Sequence, residues 1–306
     1  MSSGMYARKL RELASAAVLL NEPLDGHTSI GVGGPADAVV FPGSIEELQG
    51  MAAYLQDSGI PYIAVGNWTN LIVTDAGYRG VVICLKNLRD HRLERGDDGG
   101  VILYAEAGGS LSELVGLTAR EALTGLEFTA GIPGSVGGAV RMNAGAYGSE
   151  IKDVLSSIII LERGGVIRTA RRDELAFSYR NLDLPPGSII AAASLHLTRG
   201  DRERIQARIA EILASRREKH PLQHPNAGSI FKNPQDIPAG RIIEELGLRG
   251  RRIGDAGISE LHGNFIVNLG QATAGDVLAL IELIQKKVWE KRGIRLETEV
   301  RIIGET

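Results

Sequence analysis

Residues 125–148 read Gly-Leu-Glu-Phe-Thr-Ala-Gly-Ile-Pro-Gly-Ser-Val-Gly-Gly-Ala-Val-Arg-Met-Asn-Ala-Gly-Ala-Tyr-Gly. Gly131, Gly134, Gly137, Gly138, Gly145 and Gly148 remove Cβ atoms from a short path, which permits positive φ and a close approach of main chain to a ligand. Successive N–H groups on such a path form a concave site for an anion such as a pyrophosphate, with Thr129, Ser135 and Asn143 as polar partners. Glycines also cluster in tight turns that bind nothing. Their density here, with Pro133 and the polar residues among them, exceeds what turning requires. A second polar turn, Gly66-Asn-Trp-Thr-Asn70, lies between the apolar runs 62–65 and 71–73, an arrangement suited to aiming donors at phosphate oxygens.

Three further side chains have the chemistry of proton transfer or anion binding. Ser229, in Asn226-Ala-Gly-Ser-Ile-Phe-Lys-Asn-Pro234, has no Gly-x-Ser-x-Gly elbow around it, and pattern alone reads it as a capping or turn residue. Glu299 lies in Leu296-Glu-Thr-Glu-Val-Arg301, where alternation puts Glu297, Glu299 and Arg301 on one strand face, either a solvated edge or part of a site. Arg180, in Phe177-Ser-Tyr-Arg-Asn181, is either a surface charge or a bidentate holder of a carboxylate. The six histidines show no metal-ligand spacing, so no metal site is expected.

These residues need a scaffold. At 306 residues and 43% hydrophobic content the chain can build two domains or one large one. A net charge of −3 supplies no general attraction to nucleic acid or an anionic membrane, so an anionic ligand needs a local site. One cysteine, Cys84, excludes an internal disulfide, and no apolar run has the length of a signal sequence or a span. The expectation is a soluble cytoplasmic protein, monomeric or weakly oligomeric, with small-molecule partners and neither nucleic acid nor membrane.

Helical spacing predicts helices over 5–19, 44–58, 110–122, 202–219, 239–246 and 273–292, the second opened by a capping box of Ser44 and Glu47. Strands are predicted over 38–41, 62–65, 71–73, 81–85, 101–107, 155–161, 166–170, 188–198, 264–268 and 296–303, with a turn at Gly96-Asp-Asp-Gly-Gly100. Gly31-Val-Gly-Gly34 is followed by Pro35 and β-prone residues where a Rossmann motif needs a helix, so no Rossmann unit is present. Pro221 and Pro225 mark a change of domain. The division expected is 1–218, with subdomains 20–88 and 89–218, and 219–306.

Gly131-Ile-Pro-Gly-Ser-Val-Gly-Gly-Ala, followed by Met142-Asn-Ala-Gly-Ala-Tyr-Gly148, closely resembles the UDP-N-acetylenolpyruvoylglucosamine reductases, FAD enzymes of bacterial peptidoglycan precursor synthesis. The resemblance runs from about Thr28 to Gly304. It implies an α+β fold: an FAD-binding domain of the vanillyl-alcohol-oxidase (PCMH) type with a smaller α+β C-terminal substrate-binding domain. It implies noncovalent FAD, NADPH as hydride donor and a UDP-sugar substrate. Ser229 matches the serine that donates a proton, Glu299 the glutamate before Val-Arg, and Arg180 the arginine of a Tyr-Arg motif, which together make the implied catalytic set.

Gly66, Asn67, Thr69, Asn70, Leu71, Gly131, Ile132, Pro133, Ser135, Val136, Gly137, Gly138, Asn143, Gly145 and Ala146 are the implied cofactor contacts. Tyr147, Tyr179, Arg217, Lys219, Asn233 and Arg301 are the implied substrate contacts. The chain departs from the family at Trp68, where a second glycine is expected and positive φ suits tryptophan poorly, and at Gly257, where many members have glutamine. Arg180 and Ser229 are too close in sequence for a long tyrosine-bearing insert, so the shorter type is implied. Two rivals remain: an alcohol or sugar-lactone oxidase on the same fold, and a flavin-binding protein without catalysis, to which Trp68 points.

Overall fold

Ser44 is extended, and its Oγ accepts the Glu47 N–H at 3.2 Å, starting the helix Ile45–Asp57. The expected capping box is only half formed, because the Glu47 carboxylate reaches past Ser44 to the N–H groups of Gly43 and Ser15. These details come from a computed structural model that describes residues 3–96, 99–234 and 237–305. Asp97 and Asp98, in the predicted turn, lie outside the described residues.

The chain forms two compact units. The first holds residues up to 20, 38–67 and 80–214; the second holds 21–37, 68–79 and 215–306. In the first, an antiparallel sheet runs in the order Ile167–Arg171, Leu155–Leu161, Ile189–Arg199, Val101–Glu106, His91–Arg95, with Leu123–Thr124 against the end of the long strand. Its apolar face, with Leu103, Ile158, Ile160 and Leu195, packs with Leu111 and Leu114 of the helix Leu111–Arg120 and Val136 and Val140 of the helix Val136–Arg141. A second core joins Leu48, Met51 and Leu55 to Val81, Ile83, Leu161 and Ile189. Burial of each large apolar side chain there contributes about 1.5–3 kcal/mol. Beside it Tyr62–Val65 pairs in parallel with Val81–Cys84.

In the second unit the antiparallel order is Asn226–Ser229, Phe265–Asn268, Ala256–Ile258, Arg252–Ile253. The helix Ala274–Arg292 presents Val277, Leu280, Ile281, Ile284 and Val288 to the core, which also takes Ile30, Val32 and Ile72. Thr273 and Asp276 form a capping box at its start, and Asp75 accepts the N–H groups of Ala274 and Gly275 at 2.9 and 2.8 Å. Leu71–Val73 pairs in parallel with Arg301–Ile303. Segments 21–37 and 68–79 therefore fold with the C-terminal residues, and a single cut at 218 does not follow the packing. The division lies at 214/215, inside the helix Arg202–Lys219.

Three expected elements differ. The predicted 5–19 helix spans Ser3–Leu13, and the strand Val18–Pro23 follows. The 125–148 path contains the helix Val136–Arg141, not loop alone. The 296–303 strand is reduced to Arg301–Ile303, leaving Glu299 on a bend before it.

Candidate active site

Ser135 caps the helix Val136–Arg141, and its Oγ accepts the Gly138 N–H at 3.3 Å. Val136 and Gly137 donate to the Gly109 and Ala107 carbonyls at 2.9 and 2.8 Å. Those bonds remove three N–H groups from the anion path expected here. Gly131, Gly134 and Ser135 keep main-chain N–H groups with no acceptor among the described residues, so the path is shorter than the glycine count suggests. Gly137 is glycine for proximity rather than for φ, since a Cβ there would lie 2.8 Å from Ala107 Cβ. Gly131 and Gly148 do have positive φ, at 72° and 85°. The hydroxyls of Thr129 and Ser135 are buried and bonded inward, which makes them supports of the loop. Gly66 lies directly against Ser135, so the two glycine loops touch within the first unit. Cys84 Sγ stands 3.7 Å from the Gly66 carbonyl.

Arg180 occupies the second position of the two-residue turn joining Phe177–Ser178 to Asn181–Leu182, with φ of 56°. Its Nη2 donates to the Gly145 carbonyl at 2.9 Å. Asn143 is fully buried: its Nδ2 donates to Glu150 Oε2 at 3.0 Å and to the Ser178 carbonyl at 3.2 Å, and its Oδ1 accepts the Lys152 N–H at 3.2 Å. Its amide thus ties the 143–152 turn to the Arg180 hairpin. Burial raises the Glu150 carboxyl, but hydrogen bonds from Lys152 and Asn143 and the charges of Lys152 and Arg180 outweigh this and hold it below its ordinary range. Arg141 anchors the same hairpin through Asn181 and the Leu182 carbonyl.

In the second unit the Ser229 strand lies beside the Glu299 segment. The Ile230 carbonyl accepts the Glu299 N–H at 2.8 Å, and Phe231 bridges Thr298. Asn70 Nδ2 donates to the Glu299 carbonyl at 3.2 Å, while the Asn70 carbonyl accepts the Arg301 N–H at 3.1 Å. Asn70 is therefore fastened to the glutamate segment. Trp68 takes the left-handed conformation its position demands, with φ of 55°; its indole is buried, and its ring centroid lies 5.4 Å from that of His27, whose Nε2 is 2.8 Å from Glu22 Oε1. Among the described residues six non-glycines have positive φ, and four of them are Trp68, Asn143, Tyr147 and Arg180. Such backbone costs about 1–3 kcal/mol per residue and collects at sites of function.

The other expected residues are placed as follows. Gly145 and Ala146 pair with Glu150 and Ser149; Ile132 packs on the sheet core; Leu71 is buried in its strand. Tyr147 and Tyr179 are exposed, each ring near an arginine, Arg208 and Arg180. Arg217, Lys219 and Arg301 are exposed. Asn233 Oδ1 accepts the Ala239 N–H at 3.0 Å and so starts the helix Ala239–Glu245. Glu297, on the face assigned with Glu299, pairs with Lys232 at 3.3 Å. A side chain longer than glycine at Gly257 would press on Leu269. Glu150 escaped the sequence reading; its signal was its place just after the Tyr147–Gly148 turn.

Residues 36–171 match the family model described as FAD binding domain, and residues 220–303 match that of the UDP-N-acetylenolpyruvoylglucosamine reductase C-terminal domain. The chain is 54% identical over 297 residues to the UDP-N-acetylenolpyruvoylglucosamine reductase of Syntrophus aciditrophicus, covering 97% of this chain and 95% of that one. It is 46% identical over 301 residues to the enzyme of the same name from Bacillus licheniformis, with 97% and 98% covered. Among solved structures, the UDP-N-acetylenolpyruvylglucosamine reductase of Thermus caldophilus superposes with a TM-score of 0.80 at 38% identity, over 94% of this chain and 98% of that one.

Proposed function

The chain belongs to the UDP-N-acetylenolpyruvoylglucosamine reductase family, and from that membership and the geometry above we propose how its residues divide the reaction. It is an FAD-dependent oxidoreductase that uses NADPH to reduce UDP-N-acetylglucosamine enolpyruvate to UDP-N-acetylmuramate, in peptidoglycan precursor synthesis. When bound, FAD supplies the hydride chemistry, with NADPH as donor and the enolpyruvyl double bond as acceptor.

The loops of the first unit fit a dinucleotide: Gly66 meets Ser135 with no Cβ between them, and Gly131, Gly134 and Ser135 retain N–H donors. Gly66, Asn67, Ile132, Pro133, Gly145 and Ala146 would hold FAD largely through the main chain, and Thr69 through its hydroxyl. Ser135, Val136, Gly137, Gly138 and Asn143 shape these loops from behind, and Asn70 and Leu71 brace the 299–303 segment of the second unit. Neither loop contains a histidine or cysteine, so the cofactor is noncovalent, and trichloroacetic acid should release all the yellow colour from purified protein.

Arg180 holds the substrate carboxylate and stabilises the charge that grows there, a task Glu299 shares when it is protonated or tightly charge-paired and so does not repel that charge. Ser229 Oγ gives its proton to C2 of the enolpyruvyl group; serine is a weak acid, but the acceptor is a strongly basic carbon. Tyr147, Tyr179, Arg217, Lys219 and Arg301 contact the sugar and diphosphate. Asn233, engaged with Ala239, acts by placing its helix. The observation that carries this division is the Glu299 N–H on the Ile230 carbonyl, which sets Glu299 beside the Ser229 strand. Cytoplasmic residence and a monomeric or weakly associating state complete the proposal. Among the described residues no helix is long and apolar enough to cross a membrane.

NADPH consumption, followed with and without the enolpyruvyl substrate under air and under argon, tests the reading. Rapid consumption should require the substrate and ignore the gas. Consumption that requires air identifies an oxidase, and none under any condition identifies a flavin protein without catalysis.

A further inference from the structure

The pairing between Asn226–Ser229 and Phe265–Asn268 sets Asn226 opposite Val267 and Ser229 opposite Phe265, with a one-residue irregularity between, and stops there. The next residues of the serine strand are held by a side chain. Asn264 is 3% exposed; its Oδ1 accepts the Phe231 N–H at 2.9 Å and its Nδ2 donates to the Phe231 carbonyl at 2.8 Å. Its own carbonyl accepts the Ile230 N–H at 2.9 Å. On the opposite edge the Ile230 carbonyl takes the Glu299 N–H, and Lys232 N–H donates to the Glu297 carbonyl at 2.9 Å. Residues 230–232 are thus clamped on both edges, with Ser229 at one end and Glu299 alongside.

A primary amide presents a donor and an acceptor side by side, as a peptide group does, so Asn264 continues the ladder after the main chain has turned away. The turn is built to hold it. Ser259 Oγ accepts the N–H groups of Leu261 and His262 at 3.1 and 3.3 Å, and His262 Nδ1 accepts the N–H of Asn264 at 3.2 Å. We propose that Asn264 is a positioning residue for proton transfer: its amide fixes the register of residues 230–232 and with it the placement of Ser229 relative to Glu299. This rests on the reading of Ser229 and Glu299 as the working pair. Misplacement of a reacting group by about 1 Å lowers rates by about 10²-fold, so an error in this register registers in chemistry before it registers in folding.

Asn264→Asp is the discriminating variant, since at pH 8 its carboxylate accepts from Phe231 N–H but repels the Phe231 carbonyl, whereas its protonated form regains the missing donor. In the FAD-loaded enzyme, stopped-flow absorbance should show flavin reduction by NADPH close to wild type. Reoxidation by the enolpyruvyl substrate should fall about 10–100-fold at pH 8 and recover toward wild type at pH 6. His262 and His220, which face this segment, are present in the wild-type control, so its profile removes their titration. Asn264→Leu should show the slow step without recovery. Independently of activity, the Phe231 amide of the wild-type protein should exchange its hydrogen slowly, and faster in the Asp variant at pH 8. Wild-type reoxidation in both variants, equal slowing of both half-reactions, or rapid exchange at Phe231 in the wild type each overturns the proposal. If Ser229→Ala also reoxidises at the wild-type rate, the reading of the site has failed; if Ser229→Ala is slow and Asn264→Asp is not, only this inference has.

Discussion

A Cβ atom on Gly66 has no room, because it would collide with Ser135 Oγ and lie 3.0 Å from Ser135 Cβ. Gly66→Ala should therefore displace the 131–138 loop, lower the melting temperature and weaken FAD binding at least ~10-fold, a loss of about 1.4 kcal/mol. Adding Ser135→Gly removes both offending atoms, and glycine is a tolerable helix cap. The double variant should recover most of the affinity. Fluorescence of FAD released on dilution measures both, and a Gly66→Ala protein that retains FAD like wild type would show that the contact does not shape the cofactor loop.

Ser229→Ala should leave flavin reduction by NADPH nearly intact and slow reoxidation by the enolpyruvyl substrate at least ~10²-fold, the usual loss for a positioned acid. Stopped-flow absorbance separates the two half-reactions. Loss of NADPH reduction alone is the outcome that contradicts the assigned role.

Arg217 and Lys219 are exposed at the end of the helix Arg202–Lys219. If they neutralise the diphosphate in ground and transition states alike, either residue changed to Ala should raise KM for the UDP-sugar several-fold and change kcat less. Unchanged KM in both variants would return them to ordinary helix-end charges.

His220 packs against Phe265 and His262, with ring centroids 5.0 and 5.7 Å away. Burial, then the charges of Arg216, His262 and Lys219, lower its pKa from 6.5 to about 4. Between those values the unfolded chain binds the proton and the folded one does not. The contribution is thus complete above 6.5 and is lost as pH falls toward 4. Melting temperature should drop between pH 7 and 5, and drop less in His220→Phe. Identical slopes for the two proteins would mean that other groups govern the acid limb.

Local features were legible in the sequence. The helices at 202–219 and 274–292 follow from apolar spacing, and the start at Ser44 from its cap, because the residues responsible lie within a turn or two of each other. What was hidden depends on distant partners. Gly137 and Gly138 read as part of an anion-binding glycine path, yet they begin a helix, and Gly137 is small because Ala107 lies against it. Residue type also does not reveal that the Asn143 amide reaches the Ser178 carbonyl of the hairpin, a partner 35 positions away. Trp68 is the reverse case. Its residue type argued against positive φ, and packing on His27 accompanies that backbone nonetheless.

The union of Leu71–Val73 with Arg301–Ile303 also bears on how the chain is made. Asn70 and Glu299, joined by a hydrogen bond, are 229 positions apart, and Asp75 waits 199 positions for the helix start it caps. At ribosomal speeds of about 5–20 residues per second, the early strand emerges on the order of 10–50 s before its partner exists. Through that interval its three residues, all buried in the finished unit, form an apolar edge open to pairing with other chains. A nascent chain released before Arg301 carries that edge permanently, so loss of a few C-terminal residues should yield aggregates rather than a weakened enzyme.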